Sequence, residues 1–296
     1  KMSKQNPNKP GVNSSGNDYT DSLIWGSSWD LNTNQGGPKG ALTYSFNNDD
    51  TIYSFEERYW YDLDPWSSFA KNQFRSIFDS IEAIIPIEFE EVNYSGPDGS
   101  NLIFNNVNPY DTNSELGFQF WKYNTMGTHE TPGSTSNDTT LNGFFSTIYH
   151  NDQYIVKGGI GYSTIIHELF HGLGLAHPHD EGGIGDGSSL FPGVTYGASG
   201  DKGDYNLNQE IYTIMSYNPG YSSLLGSSPP RDYGNAATPM AFDIAALQEI
   251  YGVNNNYNSG NNTYKLPFSS EVGSYWSCIW DTGGIDTISA MAVRMM

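Results

Sequence analysis

One stretch, His167-Glu168-Leu169-Phe170-His171-Gly172-Leu173-Gly174-Leu175-Ala176-His177, limits the possible folds more than any other part of the chain. It reads H-E-x-x-H-x-x-G-x-x-H. On a helix, His167 and His171 sit about 40° apart around the axis and about 6 Å along it, so both imidazoles can reach one ion. Glu168 is turned about 100° from His167, beside the ion instead of on it, where a carboxylate can hold a water. Were the helix to continue, His177 would lie about 9 Å beyond His171 and on the wrong side. It becomes a third ligand only if the chain doubles back, which a left-handed glycine permits without a Cβ penalty. Gly174 stands where that turn is needed. Three neutral imidazoles leave one position of a tetrahedral zinc open, as in catalytic sites.

The rest of the composition fits a folded domain built around such a site. The 296 residues suit one large or two small domains, and 36% hydrophobic with 15% aromatic content supplies a core. Lys and Arg number 13 against 33 Asp and Glu, a net charge of -20. That charge repels phosphate backbones and anionic lipid, which disfavours nucleic acid and membrane as partners and favours divalent cations. The single cysteine, Cys278, excludes an intramolecular disulfide. No apolar run approaches the roughly 20 residues of a spanning helix. Lys1 to Pro10 lacks the apolar centre of a signal peptide, so a mature or trimmed chain is expected.

Periodicity gives the elements. Residues 1–22 are polar and read as an arm. Ala41 to Phe46 reads as a strand. Apolar residues at Phe74, Ile77, Phe78, Ile81, Ile84 and Ile85 predict a helix from Trp66 to Ile85, capped by Asp64-Pro65 and ended by Pro86. Strands are expected at Ile87–Val92, at Asn101–Phe104 and in a more exposed Gly117–Tyr123. A second helix covers Ser163 to Leu173. A third runs from Pro239 to Tyr251, with Thr238 as cap and Gly252 past its end. The 60 or so Gly- and Asn-rich residues between these two helices are too many for an untethered loop. The fold class is α+β (α/β-like), divided as 1–22 arm, 23–253 catalytic domain and 254–296 C-terminal region.

The histidine pattern resembles the metzincin zinc endopeptidases, and Pro178 after the third histidine resembles the serralysin group in particular. Tyr212-Thr213-Ile214-Met215-Ser216-Tyr217 is similar to that group's Met-turn. Matrixin and astacin patterns fit less well. The resemblance implies a twisted mixed sheet with an active-site helix, Met215 as an apolar floor beneath the histidines, and Tyr217 contacting the transition state or serving as a fifth zinc ligand. Glu168 would be general base. Ala241 to Gly252 resembles the helix that closes the catalytic domain, and Trp280 to Thr287 resembles the beginning of the calcium-binding β-roll. By that likeness Asp281, Gly283, Gly284 and Asp286, together with Asn258, Gly260 and Asn262, would hold calcium through oxygen atoms. Asparagines stand where the family commonly has arginine and threonine, so ligation there would fall to backbone carbonyls. No nonapeptide repeat follows residue 287, so the expectation is either a shortened chain or a relative without the roll.

The resemblance implies a secreted, monomeric endopeptidase acting on protein and peptide substrates, with a proteinaceous inhibitor as a further partner. An extended substrate would pair with an edge strand, either Phe118–Tyr123 or Leu141–Ser146. His129, His150 and His179 are read as surface residues. The competing readings are a catalytically silent protein-binding relative and a narrow-specificity metzincin such as a toxin or self-processing factor. The intact Glu168 disfavours the silent one.

Overall fold

A computed structural model describes residues 6–10, 15–31, 41–49, 51–54, 59–97, 99–108, 127–129, 140–179, 189–220, 226, 229–266 and 271–290. Strand β1 (Asn6–Pro10) is followed by a helical turn, α1 (Asp18–Asp21), then β2 (Ser27–Asp30), β3 (Ala41–Phe46), β4 (Thr51–Ser54) and β5 (Tyr59–Asp62). Helix α2 (Ser68–Glu82) precedes β6 (Glu88–Glu91), β7 (Leu102–Val107), β8 (Gly127–His129) and β9 (Leu141–Ser146). Helices α3 (Ile160–Gly172) and α4 (Ala241–Tyr251) and strands β10 (Thr263–Leu266) and β11 (Thr287–Ala290) complete the order.

The central sheet has the order β6-β3-β7-β9-β8. Its first four strands are parallel, while β8 runs antiparallel to β9. This is the mixed α/β architecture expected. All six residues of β3 and of β7 are buried, as strands covered on both faces must be. Leu141–Ser146, one of the two candidate substrate edges, is β9 and pairs on both sides, with β7 and with β8. Among the described residues the edge on that side of the sheet is β8, whose three residues are too few to show a period of two. The other candidate, Phe118–Tyr123, and the expected Gly117–Tyr123 strand lie outside the described residues.

Helix α2 buries Phe74, Ile77, Phe78 and Ile81 on one face, as its spacing predicts. Phe74 meets the sheet at Phe104 (ring centroids 4.8 Å), Phe46 (5.2 Å) and Phe145 (5.7 Å) and is flanked by Trp66 (5.0 Å). Such pairs contribute about 0.5–1.5 kcal/mol each beyond area burial. The cap differs from the expected Asp64-Pro65: Ser67 Oγ accepts from Ala70 N at 2.9 Å. Asp64-Pro65 and Ser67 are both good starters, and only the register of the apolar face decides between them. Likewise α4 starts one residue after Met240, not from a Thr238 cap. It docks on the end of α2, where Gln248 Nε2 and Asn254 Nδ2 donate to Ile84 O (3.0 Å) and Glu82 O (2.7 Å). Tyr19, within the polar stretch 1–22, stacks on Phe242 of α4 at 5.5 Å.

Helix α3 is buried on all sides, packed against β8, β9 and α2. Two histidines read as surface residues are corrected here. His150 is 3% exposed and His179 9% exposed. His129 lies in β8. His150 Nδ1 faces the Ser146 carbonyl at 2.8 Å, and since a carbonyl only accepts, Nδ1 carries the proton. Its Nε2 is buried without a partner. Burial pushes the pKa of His150 down to about 4. The unfolded value is about 6.5, so the neutral ring's contribution is complete above that pH and is lost as pH falls through the folded value. Urea unfolding at pH 7 and pH 4.5 should show the unmodified protein losing about 2–3 kcal/mol more than His150→Phe over that interval. Equal losses in the two proteins would refute the assignment.

Candidate metal centre

Helix α3 presents His167 and His171 one turn apart, and both are buried. Their Nδ1 atoms face the carbonyl oxygens of Ile214 and Leu175, each at 2.8 Å. Because carbonyls only accept, both Nδ1 atoms must carry hydrogen and both Nε2 atoms keep a lone pair. Those Nε2 atoms lie 3.1 and 3.0 Å from Nε2 of His177. Burial, with the neighbouring His167 and His179 adding to it, pushes the pKa of His177 down to about 2, so its ring is neutral as well. The Nε2 atoms of His167 and His171 thus both point at Nε2 of His177. Nitrogens around a tetrahedral zinc, bonded at 2.0–2.1 Å, would stand about 3.3 Å apart. The geometry and the donor set fit a zinc ion held by His167, His171 and His177, the one such group of ligand atoms within 4.8 Å of each other among the described residues.

The reversal that brings His177 back is a helix-ending glycine turn. Gly174 has φ +98°. Its N–H donates to His171 O at 3.0 Å and Leu175 N donates to Phe170 O at 2.8 Å, the two bonds of a Schellman motif. A Cβ on Gly174 would also come within 2.6 Å of Ser27 O. The sequence argument for Gly174 and the observed turn coincide.

Glu168 is buried beside His167, and burial pushes its carboxyl up to about 8. Tyr217 is 56% exposed and covers the cluster from the solvent side, its ring 5.6 Å from that of His167 and 4.8 Å from that of His177. His179 stacks on His177 at 5.0 Å and lies 5.0 Å from Tyr217. Met215 is wholly buried in the hydrophobic core, next to the Ile214 carbonyl that orients His167.

Two carboxylates that organise this site were not singled out from sequence. Asp243 of α4 accepts from Thr213 Oγ1 (2.6 Å), Ile214 N (2.9 Å) and Met240 N (2.9 Å). Burial pushes it up to about 7, against the pull of those three donors. Met215 N in turn donates to Thr213 Oγ1 at 3.2 Å. The 214–215 peptide is therefore held at its N–H through Thr213 and gives its carbonyl to His167. Glu210, raised by burial, accepts from Ser163 Oγ (2.9 Å) and Ala236 N (2.7 Å) and ties the long loop to α3. The available signal was an acid in an otherwise apolar helix, Ala241-Phe242-Asp243-Ile244-Ala245-Ala246-Leu247.

The residues proposed for calcium come together away from the histidines. Strands β10 and β11 pair in parallel, and the turns before them interlock. Asn262 N donates to Asp286 Oδ1 (2.8 Å), Ile285 N to Asn261 Oδ1 (2.8 Å) and Gly283 N to Asp281 Oδ1 (2.9 Å). Tyr264 OH bonds Asp281 and receives Asn258 Nδ2 at 3.0 Å. Gly284, at φ +106°, sits where a Cβ would be 2.2 Å from Gly260 O. With its amide turned so that Nδ2 points inward, Asn262 donates to Gly260 O (2.5 Å) and Asn258 O (3.1 Å).

No protein-family model matches the chain. It is 28% identical over 271 residues to serralysin of Proteus mirabilis, covering 85% of this chain and 50% of that protein. Metalloprotease AprA of Pseudomonas entomophila is 28% identical over 270 residues, 84% of this chain and 51% of its own length. Metallopeptidase AprA of Pseudomonas marginalis is 33% identical over 137 residues, 43% of this chain and 27% of its own. The chain thus spans about half the length, or less, of these curated relatives. By these matches, together with its three-histidine cluster, the chain is related to the serralysin-type metalloproteases.

Proposed function

We propose that this chain is the catalytic part of a secreted zinc endopeptidase that hydrolyses peptide bonds in proteins. The observation that carries the reading is the convergence of three imidazole Nε2 atoms, with the buried Glu168 following His167 in the chain and the exposed Tyr217 ring packed against His167 and His177. When bound by His167, His171 and His177, zinc would supply Lewis acidity, polarising the scissile carbonyl and lowering the pKa of water from roughly 15.7 to about 7. Glu168 takes the proton from the attacking water and passes it to the leaving amine. Its burial-raised carboxyl is basic enough for that task near neutral pH, and a neighbouring positive charge favours its ionised form. Tyr217 donates its hydroxyl hydrogen to the oxygen that gains charge as the carbonyl becomes tetrahedral. The outer edge of β8 would pair with an extended substrate through main-chain bonds, a mode that reads little of the substrate's sequence.

The same reading assigns residues 23–253 to the catalytic unit and 254–296 to the beginning of a calcium-binding β-roll, with 1–22 as an arm. Calcium would lie between the 258–262 and 281–286 turns, on Asn258, Gly260, Asn262, Asp281, Gly283, Gly284 and Asp286. Substrates are proteins and peptides, the working form is a monomer, and a proteinaceous inhibitor is a further partner. Among the described residues no helix is long and apolar enough to cross a membrane.

Purified protein should contain one zinc per chain by elemental analysis and should cleave casein until a chelator removes the metal. Glu168→Gln should keep the zinc and the fold while casein hydrolysis falls on the order of 10⁴-fold. Tyr217→Phe should cost less, about 10²-fold. A Glu168→Gln protein that cleaves casein at the unmodified rate would reject the assignment of the base. Zinc binding without cleavage in the unmodified protein would favour a silent relative, and cleavage confined to one sequence among many peptides would favour a narrow-specificity enzyme. For calcium, thermal unfolding followed with added Ca²⁺ or Mg²⁺ should rise only with Ca²⁺, and Asp286→Asn should abolish most of that rise. An unmodified protein indifferent to Ca²⁺ would remove calcium from the reading.

A further inference from the structure

The turn that returns His177 to the metal cluster is not held by α3 alone. Four consecutive carbonyls leave the end of the helix, at Gly172, Leu173, Gly174 and Leu175, and a helix has no internal donors for such groups. Each has a partner. Gly172 O accepts from Trp29 Nε1 at 2.8 Å, and Leu173 O from Tyr251 OH at 2.6 Å. Gly174 O accepts from Trp25 N at 2.8 Å, and Leu175 O from His171 Nδ1 at 2.8 Å. Ala176 N then donates to Leu23 O at 2.9 Å, and Ile24 bridges Leu175 in antiparallel register. The residue after Ala176 is His177. Three of the four carbonyl donors therefore come from outside the metal motif, two from residues near the N-terminus and one from the last residue of α4.

These partners are not incidental surface contacts. Trp29 is 1% exposed, and Ser27 O packs so closely on Gly174 that no Cβ would fit between them. Burial holds the Tyr251 phenol above its ordinary range, so it stays protonated and donates. The Leu175 carbonyl that the assembly fixes is the same one that orients His171. One support thus serves two ligands, directly for His177 and through its backbone for His171.

We propose that the segment Leu23 to Trp29, together with Tyr251, is a positioning clamp for the second and third histidines, and that metal affinity depends on it. Trp29 and Tyr251 touch neither substrate nor metal; they act through the 172–176 backbone. The proposal rests on the zinc reading above. It also means that the N-terminal part of the chain, distant in sequence from the metal motif, belongs functionally to the site. Outer-sphere hydrogen bonds that orient metal ligands typically change affinity about 10–100-fold when removed.

The test uses Trp29→Phe, Tyr251→Phe and the double variant, which keep an aromatic ring but lose the N–H or O–H donor. Zinc affinity is measured by competition with a chelator, and Co²⁺ loaded in place of zinc reports the ligand field through its visible spectrum. Near-ultraviolet circular dichroism reports folding. The folded double variant should bind zinc about 10–100-fold more weakly, with each single variant in between, and its Co²⁺ spectrum should shift toward weaker coordination. Tyr44→Phe, which removes a phenol on β3 hydrogen-bonded to Glu91 of β6, should leave both readouts unchanged. Should the double variant fail to fold, the single variants decide on the same readouts. If the unmodified protein binds zinc tightly and the folded variants match it in affinity and spectrum, the clamp is overturned alone. If the unmodified protein takes up no zinc, the metalloprotease reading falls and the clamp with it.

Discussion

Nε2 of His177 lies within about 3 Å of both His167 Nε2 and His171 Nε2, and the architecture around α3 can be understood as the structure needed to hold the three there. A neutral imidazole has one donor and one acceptor face, so fixing where its N–H goes fixes where its lone pair points. For His167 and His171 that is done by main-chain carbonyls at Ile214 and Leu175. A carbonyl is a more rigid anchor than a side chain, but only if its own peptide is immobile. The Ile214 peptide is held by Thr213 and Asp243, and the Leu175 peptide by the glycine turn and the segments packed against it. Ligand orientation has thus been passed from side chains to backbone, and from backbone to buried polar groups.

That arrangement requires a platform. A helix buried on every side cannot be amphipathic, and α3 obtains its burial from β8, β9 and α2 together. The aromatic layer of Phe46, Phe74, Phe104 and Phe145 sets the spacing between α2 and the sheet. Overpacking or loosening that layer would shift α3 against the two carbonyls that orient its histidines. Close-packed interiors transmit such strain. Core packing and ligand geometry are therefore linked here without any shared residue.

What could be read from the chain, and what could not, follows from which interactions are local. The histidine spacing, the need for Gly174 to reverse the chain and the apolar face of α2 each depend on a few neighbouring residues and a fixed helical period, and the structure shows them all. The cap of α2 was misplaced because Asp64-Pro65 and Ser67 both satisfy the local rule, and only the packing of Phe74 on the sheet selects the latter. Of the two segments read as a substrate edge, Leu141–Ser146 looks like an edge in isolation but is covered by the three-residue β8, while Phe118–Tyr123 lies outside the described residues. His150 and His179 look like ordinary polar residues until the sheet end and the Tyr217 ring close over them. Asp243 and Trp29 act on partners about 30 and 143 residues away, a separation at which no local pattern exists.

The same distinction explains the long segment between α3 and α4. Its Gly and Asn content predicts a loop that something must tether. The tethers observed are buried polar side chains. Asn218 donates through Nδ2 to Ser199 O and Asn208 O, Glu210 N donates to Asn218 O, and the Glu210 carboxylate reaches Ser163 on α3 and Ala236 before α4. Asp243 completes the connection at the Met-turn. Asparagine suits this role because its amide both donates and accepts, so one side chain can link separate backbone strands that have no ladder between them. In a chain of net charge -20, burying carboxylates at Glu168, Glu210 and Asp243 is costly, and all three are raised by burial. Glu210 and Asp243 offset that cost by taking up backbone donors that would otherwise be buried unpaired, at Ala236, Ile214 and Met240. A segment with little regular structure is thereby made rigid where it touches His167. A metal held by the three histidines would complete a site whose tethers are already in place.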